Sequence, residues 1–170
     1  MTETTGGAAQ RRRWTLFRGP DDAGAIYGTL AAMAVIAGSA GSKAHGPVLA
    51  LTIATLAVFW LAHVYAAALA HHLQAARRLH WPIIRAAMVE ESSLLKGPVP
   101  MLVLLAVGRV GLIDELLARR LALWAGVAQL VGWGVAYAHH QRWGWPTAVV
   151  AGMVNGAFGL IIVVLEVLIH

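Results

Sequence analysis

The sequence predicts an all-α membrane protein, a bundle of five transmembrane helices with an interrupted third helix. Apolar residues make up 59% of its 170 residues, charged residues only 12%, and the mean hydropathy is +0.68. An ordinary soluble domain carries about 25% charged residues. Apolar runs of about 20 residues recur along the chain, and each is long enough to cross a hydrocarbon core of about 30 Å as a helix.

The net charge and the cysteine content narrow the class of protein further. The net charge of +5 and the pI near 10.5 would suit a nucleic-acid-binding protein. However, the arginines stand between apolar runs, as they do in the cytoplasmic loops of membrane proteins. The chain has no cysteine, which excludes disulfides and thiolate-bound metal centres. We therefore expect the lipid bilayer and not nucleic acid as the partner, and we predict no cofactor.

Residues 1–22 are predicted to form a basic cytoplasmic arm, and residues 23–170 a single transmembrane domain. The three arginines at 11–13 are similar to part of a twin-arginine export signal. Asp21 and Asp22 separate them from the apolar run, and no cleavage site follows. A basic anchor before the first span is the preferred interpretation.

Four of the spans are continuous apolar runs. They occupy residues 23–42, 47–72, 116–138 and 146–169. Because these runs are too long and too uniformly apolar for the strands of a membrane barrel, we expect helices.

The third span, residues 82–113, is the unusual one. At about 32 residues, or roughly 48 Å as a helix, it exceeds the thickness of a bilayer core. Pro98 and Pro100 cannot donate to the carbonyls of Leu94 and Lys96, so a kink or break is expected there. We interpret the segment as one interrupted span. The alternative is a surface helix followed by a short re-entrant segment, which would leave four crossings.

The distribution of basic residues predicts the orientation. One side of the predicted topology carries Arg11, Arg12, Arg13, Arg18, Arg77, Arg78, Arg85 and Arg142. The other side carries Lys43, Arg119 and Arg120. Since basic residues favour the cytoplasm, we predict a multi-pass protein of the cell membrane with a cytoplasmic N-terminus and, after five spans, an external C-terminus.

Two loops carry the same series of residues. An Ala-His-His sequence ends the second and the fourth span, and a Trp-Pro pair opens the third and the fifth. Tryptophan suits the membrane interface, and proline suits the first turn of a helix. Two explanations remain open: similar boundary conditions at two hairpins, or a parallel internal repeat of residues 47–113 and 116–169.

The histidine doublets are His71, His72, His139 and His140. Histidines at the C-terminus of a helix interact favourably with its partial negative charge. Because histidine changes its charge between about pH 5 and 8, the doublets predict a pH-sensitive mouth on the cytoplasmic side.

Four spans each offer one polar side chain at a similar depth. His63, Glu91, Gln129 and Asn155 lie roughly 12–15 Å from the cytoplasmic boundary, counted along their helices. Such residues are costly in hydrocarbon and usually face a bundle interior or a wet cavity. They therefore predict a functional polar layer. Further candidate residues of the same pathway are Lys96, Glu90 and Glu166.

Glycine motifs indicate close helix packing. Gly24 and Gly28 in the first span, and Gly152 and Gly156 in the fifth, have the small-xxx-small spacing. They could join spans one and five within a subunit or contact another subunit. Because five helices are few to enclose a pathway, we expect a symmetric homo-oligomer.

The leading hypothesis for function is a small channel or transporter for protons or small cations. Glu91 would accept the proton or cation, with Lys96 or His63 as its charge partner, and the broken helix would expose carbonyls to the ion. One alternative is an accessory or scaffold protein whose polar residues specify helix pairing.

A metal-dependent enzyme is a second alternative, with Glu90 as its base. Its candidate ligands would be His71, His72, His80, His139 and His140. The HExxH and GxSxG motifs are both absent from the sequence, which counts against this alternative.

Overall fold

The computed structural model describes residues 22–39, 48–75 and 81–169, although the side chains at 22, 71–75, 82–83 and 169 are not described. Within these ranges the chain forms seven helices and no strand, so the all-α fold class is confirmed there. The helices are α1 (Asp22–Gly38), α2 (Val48–Ala75), α3 (Trp81–Glu90), α4 (Ser93–Lys96), α5 (Val99–Arg109), α6 (Glu115–His140) and α7 (Trp145–Ile169). The predicted basic arm lies almost wholly outside the described residues.

Three helical segments are long and apolar enough to cross a membrane: Val48–Ala70, Glu115–His140 and Trp145–Leu168. A fourth span is present if the bent pair Ile84–Lys96 and Val99–Arg109 counts as one crossing. Helix α1 has 17 residues and is therefore about 25 Å long, shorter than a hydrocarbon core of about 30 Å. The structure thus supports three to four spans by length and composition, and a fifth is not confirmed.

Contacts between helices give their relative directions. Gly28 of α1 lies at Pro98, and Met33 and Met101 both lie against Gly126, so α1 runs in the same direction as α5. Helices α5 and α6 are antiparallel, because Gly108 meets Ala118 across the turn that joins them.

The remaining two helices complete an alternating order. Helix α2 begins where α5 ends, since Val48 lines the same crevice as Arg109. Helix α7 is antiparallel to α6, with Gly152 against Val135 and Gly159 against Val127. Consecutive segments therefore run up and down in turn, which is the usual order of a bundle with short connections.

Helix α1 occupies the centre of the bundle. It packs against α2, α4, α6 and α7. Ala32 and Met33 are fully buried, and the buried Thr29 hydroxyl donates to the Ala25 carbonyl at 2.8 Å. The outer faces of α2 and α7, in contrast, expose many large apolar side chains. Exposed apolar surface of this extent suits contact with lipid.

The predicted interruption of the third span is confirmed, and it is larger than a single kink. The segments on either side of the Gly97–Pro98 turn meet at 58°. Pro98 cannot donate to the Leu94 carbonyl, and the helix resumes where the Leu102 amide donates to the Pro98 carbonyl at 3.0 Å.

A second interruption, at Glu91 and Ser92, was not predicted. The amides of Ser92, Leu94 and Leu95 each donate to the carbonyl three residues earlier, at 3.1–3.3 Å, in the tighter 3₁₀ pattern. The local signal is the Ser92-Ser93 pair, because serine hydroxyls compete with helical backbone bonds.

Candidate functional site

Helix α1 contacts the broken segment backbone to backbone. At Gly28 a Cβ atom would overlap the carbonyl oxygen of Leu94, and at Gly97 it would overlap the carbonyl oxygen of Ala25. At Gly24 it would overlap the Ser93 hydroxyl. At Gly28 and Gly97 the overlapping atoms belong to the backbone, so only glycine fits there without movement of the chain, whereas at Gly24 the overlap is with a side chain that can rotate.

The glycines of both motifs do make close helix contacts, but these contacts do not join the first span to the fifth. The glycines of α1 contact α4, as described above. Gly152 and Gly156 of α7 contact Val131 of α6. Helices α1 and α7 do pack together, although these glycine contacts do not join them.

Gln129 connects α6 to the break. Its side-chain Nε2 donates to the carbonyl of Gly97. In an unbroken helix that carbonyl would accept from the amide of residue 101. The Gln129 amide thus supplies a donor to a backbone carbonyl that the break leaves inside the bundle.

Buried polar atoms without a hydrogen-bond partner, as far as the described residues extend, are Gln129 Oε1, Trp60 Nε1 and Trp133 Nε1. A buried indole N–H usually finds a partner. In the sequence, Gln129 stands out as a polar residue within a span, whereas Trp60 and Trp133 do not stand out. Trp60 lies in the middle of its apolar run, whereas Trp133 lies only five residues before the end of its run at residue 138 and is marked by no sequence signal.

Glu91 is half-buried in the turn between α3 and α4, while Glu90 and Lys96 are exposed. The segment Ile84–Lys96 is inclined by 58° to α5. Nine residues from Pro82 to Glu91 extend about 13 Å along their own helix, but only about 7 Å along the axis of α5. Measured along α5, Glu91 is therefore nearer to the α3 end of the bundle than a count of residues indicates.

His63 lies between α1 and α2. Its Nδ1 is 2.8 Å from the carbonyl oxygen of Phe59 on the same helix. Its ring centroid lies 5.9 Å from that of Tyr27, whose side chain is 58% exposed. The histidine is thus at the outer edge of this helix pair.

Asn155 lies between α6 and α7. Its Nδ2 donates to the carbonyl of Ala151 on the same helix at 3.0 Å. The amide packs over Gly134 of α6, where a Cβ would approach Nδ2 to 2.7 Å. Gly134 therefore makes room both for the Asn155 amide and for the backbone of α7.

The four residues of the predicted layer are thus distributed within the subunit. His63 lies at the α1–α2 interface, Gln129 between α6 and the Gly97–Pro98 turn, and Asn155 at the α6–α7 interface, while Glu91 is in the α3–α4 turn. Within the described ranges, no hydrogen bond joins one of these four side chains to another. Glu166, further along α7, is half-buried.

The histidine doublets are described in part. His139 and His140 are exposed at the end of α6, and an edge-on contact between Tyr137 and Trp143 closes the following turn. The side chains of His71 and His72, like all of residues 76–80, lie outside the described residues. In the described part of the chain no group of three His, Cys, Asp or Glu side chains is placed to hold a metal ion.

A crevice opens at the opposite end of the bundle. It is shallow: its accessible volume is about 20 Å³, about the room of one water molecule, and it is partly open to the surroundings. Its lining residues are Val48, Leu49, Leu105, Arg109, Glu115, Ala118 and Arg119. Sequence reasoning counted Arg119 only as a charge that sets orientation, because nothing in the sequence places it beside Arg109.

Comparison with protein-family models, with curated proteins and with solved structures finds no match for this chain.

Proposed function

We propose that this protein is a small multi-pass membrane protein of the accessory or scaffold class, in which intramembrane polar groups serve helix packing. The observation that carries the proposal is the hydrogen bond from the Gln129 amide to the Gly97 carbonyl. This bond joins a polar side chain of α6 to the backbone of the neighbouring broken segment at the Gly97–Pro98 turn. Polar residues within bundles of membrane helices commonly join helices in this way.

The other polar side chains support the same function. The His63 ring and the Asn155 amide each bond to a carbonyl one turn earlier on their own helix. These bonds meet part of the hydrogen-bonding capacity of both groups without a substrate or an ion. The close contacts at Gly28 and Gly97 leave little space between α1 and the break. A rigid, densely packed subunit is well suited to bind other membrane proteins through its exterior.

The proposal includes the topology and assembly expected from the sequence. The chain would cross the cell membrane five times with its N-terminus in the cytoplasm, and α1 would be a short central crossing. It would also form a homo-oligomer. The up-and-down order of the helices supports five crossings, because α1 runs opposite to α2 as consecutive spans do.

A conduction pathway for protons or small cations is the second candidate. One observation favours it: the buried Oε1 of Gln129 lacks a partner close to the break. Glu91 would accept the proton or cation, with His63 or Lys96 as its charge partner. The helices pack closely within a subunit, so the path would follow an interface between subunits.

Flux measurements distinguish the two candidates. Purified protein in liposomes is assayed for proton and potassium flux, with Glu91→Gln as the test variant. A scaffold gives no flux above that of empty liposomes. A conducting protein gives flux that falls in Glu91→Gln while the variant keeps its fold, because glutamine preserves the shape but cannot gain or lose a proton at this position.

Stability measurements test the packing role directly. Replacing Gln129 by Met, which is close in shape, should lower the free energy of unfolding by about 1–3 kcal/mol, since the Gly97 carbonyl then loses its donor. Gln141→Met at the end of α6 is the matched control and should change stability by less than about 0.5 kcal/mol. Equal stability of the two variants would contradict the packing role.

Labelling experiments test the topology. The chain has no cysteine, so Thr5→Cys and His170→Cys each introduce a single reactive thiol. Five crossings predict that an impermeant reagent labels the two variants from opposite sides of the membrane. Labelling of both from the same side would instead support four crossings.

A further inference from the structure

The crevice at the α2–α5–α6 end combines a charged rim with an apolar wall. Arg109 is the last residue of α5, whereas Glu115 and Arg119 lie in the first turns of α6. Val48, Leu49 and Leu105 form the apolar side. Two arginines against one glutamate make the lining positive by one charge.

The other charged groups that the structure describes near this end do not line the crevice. Asp114 caps α6, where its carboxylate oxygen accepts from the amides of Leu116 and Leu117 at 2.9 and 3.1 Å. Arg120 is exposed and is not among the lining residues. Among the described residues, the positive charge in the crevice therefore comes from one arginine on each of two helices.

The length of α6 indicates the depth of the crevice in a bilayer. Its 26 residues extend about 39 Å, so a helix centred on a core of about 30 Å projects by roughly three residues at each end. Arg119, four residues after the start, then lies at the boundary of the hydrocarbon, where the phosphates of the lipids are within reach. At this depth the long side chain of an arginine reaches the interface, where its guanidinium meets water or an anion.

We propose that one anionic phospholipid binds against the charged rim of this shallow crevice. The guanidinium groups of Arg109 and Arg119 hold the phosphate through charge-assisted hydrogen bonds, for which the planar guanidinium is well shaped. An acyl chain of the same lipid lies along the half-buried Val48 and Leu49. Glu115 opposes the bound negative charge, so it limits the affinity. The site is independent of the function proposed above, because it shares no residue with the break or with Gln129.

The test measures binding of fluorescent phosphatidylglycerol to the purified full-length protein in neutral detergent micelles. Arg119→Gln is compared with Arg120→Gln, which removes the same charge from the adjacent position of the same helix. Loss of a direct phosphate contact should weaken binding by at least about tenfold. A charge that only adds to the surface potential should change binding by no more than about fivefold.

Two further arms make the result specific. In about 1 M salt, where electrostatic interactions beyond about 3 Å are screened, Arg120→Gln should match the wild type while Arg119→Gln remains weaker. Glu115→Gln should bind the lipid more tightly than the wild type, and a misfolded variant would not gain affinity in this way.

Three outcomes would overturn the proposal. The first is equal loss in Arg119→Gln and Arg120→Gln, which would show only a general surface attraction. The second is binding of phosphatidylcholine as tight as that of phosphatidylglycerol. The third is displacement of the lipid by inorganic phosphate with the same dependence on Arg119, which would identify a site for free phosphate.

Discussion

The closest contact between α1 and the broken segment gives a sharp test of the packing, through Gly28→Ala. The new Cβ would overlap the Leu94 carbonyl oxygen, with the carbonyl carbon at 2.9 Å and the Pro98 Cδ at 3.2 Å. These neighbours are backbone and a proline ring, so no side-chain rotation relieves the overlap. Helix α1 must instead move away from α4 by on the order of 1 Å, which weakens the dispersion contacts along the interface.

The expected cost follows from these contacts. An added methyl group in a well-packed interior costs about 1–3 kcal/mol, and a rigid neighbour places Gly28→Ala near the upper end. The gain in helix propensity from glycine to alanine offsets at most about 1 kcal/mol. A net loss of about 2 kcal/mol should lower the melting temperature by roughly 4–8 °C for a chain of this size.

The assay is thermal unfolding of the purified protein in detergent, followed by far-ultraviolet circular dichroism. Gly132→Ala is the matched control, because it lies in the middle of α6 and a Cβ there meets nothing within 4 Å. It should leave stability unchanged or raise it by up to about 1 kcal/mol. If Gly28→Ala is as stable as Gly132→Ala, the backbone contact between α1 and the break is not formed, and the reasoning is refuted.

Three further predictions concern other positions of the chain. Asp114→Ala should lower the free energy of unfolding by about 1 kcal/mol, because it removes the side-chain oxygen that caps α6. Asp114→Ser should largely preserve stability, because the serine hydroxyl can accept the same backbone hydrogen bonds. Chemical denaturation measures both variants. Arg142 has a φ of 55°, so Arg142→Gly should be neutral or stabilising and Arg142→Val destabilising in melting experiments. Met33 is fully buried, so Met33→Ala should cost about 2–5 kcal/mol of unfolding free energy. Met153→Ala, at a position 60% exposed, should change stability by no more than about 0.5 kcal/mol in the same detergent.

Helical spans and the main break could be predicted from the sequence because their causes are local. The apolar runs of α2, α6 and α7 are long enough to cross a bilayer, and backbone groups in lipid must bond within their own helix. Pro98 and Pro100 lack an amide hydrogen wherever they stand in the fold. The second interruption, at Glu91 and Ser92, was missed because the tendency of serine to leave a helix is weak and depends on its surroundings.

The sequence did not predict which polar side chains lie close to one another in the bundle. Counting residues from a boundary places His63, Glu91, Gln129 and Asn155 at similar depths, but such a count contains neither the tilt of a segment nor its rotation about its axis. The 58° bend shortens the advance of Glu91 along α5. Rotation directs Gln129 towards Gly97 and Asn155 towards Gly134. The crevice with Arg109 and Arg119 could not be predicted either, because its residues come from different helices and the spacing of residues along one helix does not show which other helix it contacts.

The sequence by itself determined that this protein is helical, apolar enough for a membrane and broken near Pro98. Those properties follow from composition, from run length and from a missing backbone donor, all of which act within a few residues. Only the tertiary structure decided that α1 is central and that its glycines contact α4. Only the tertiary structure shows, likewise, that the Gln129 amide donates a hydrogen bond to the carbonyl of Gly97. The physical reason is that packing between helices depends on the shapes of both surfaces at once, and the spacing of residues along one helix specifies only its own.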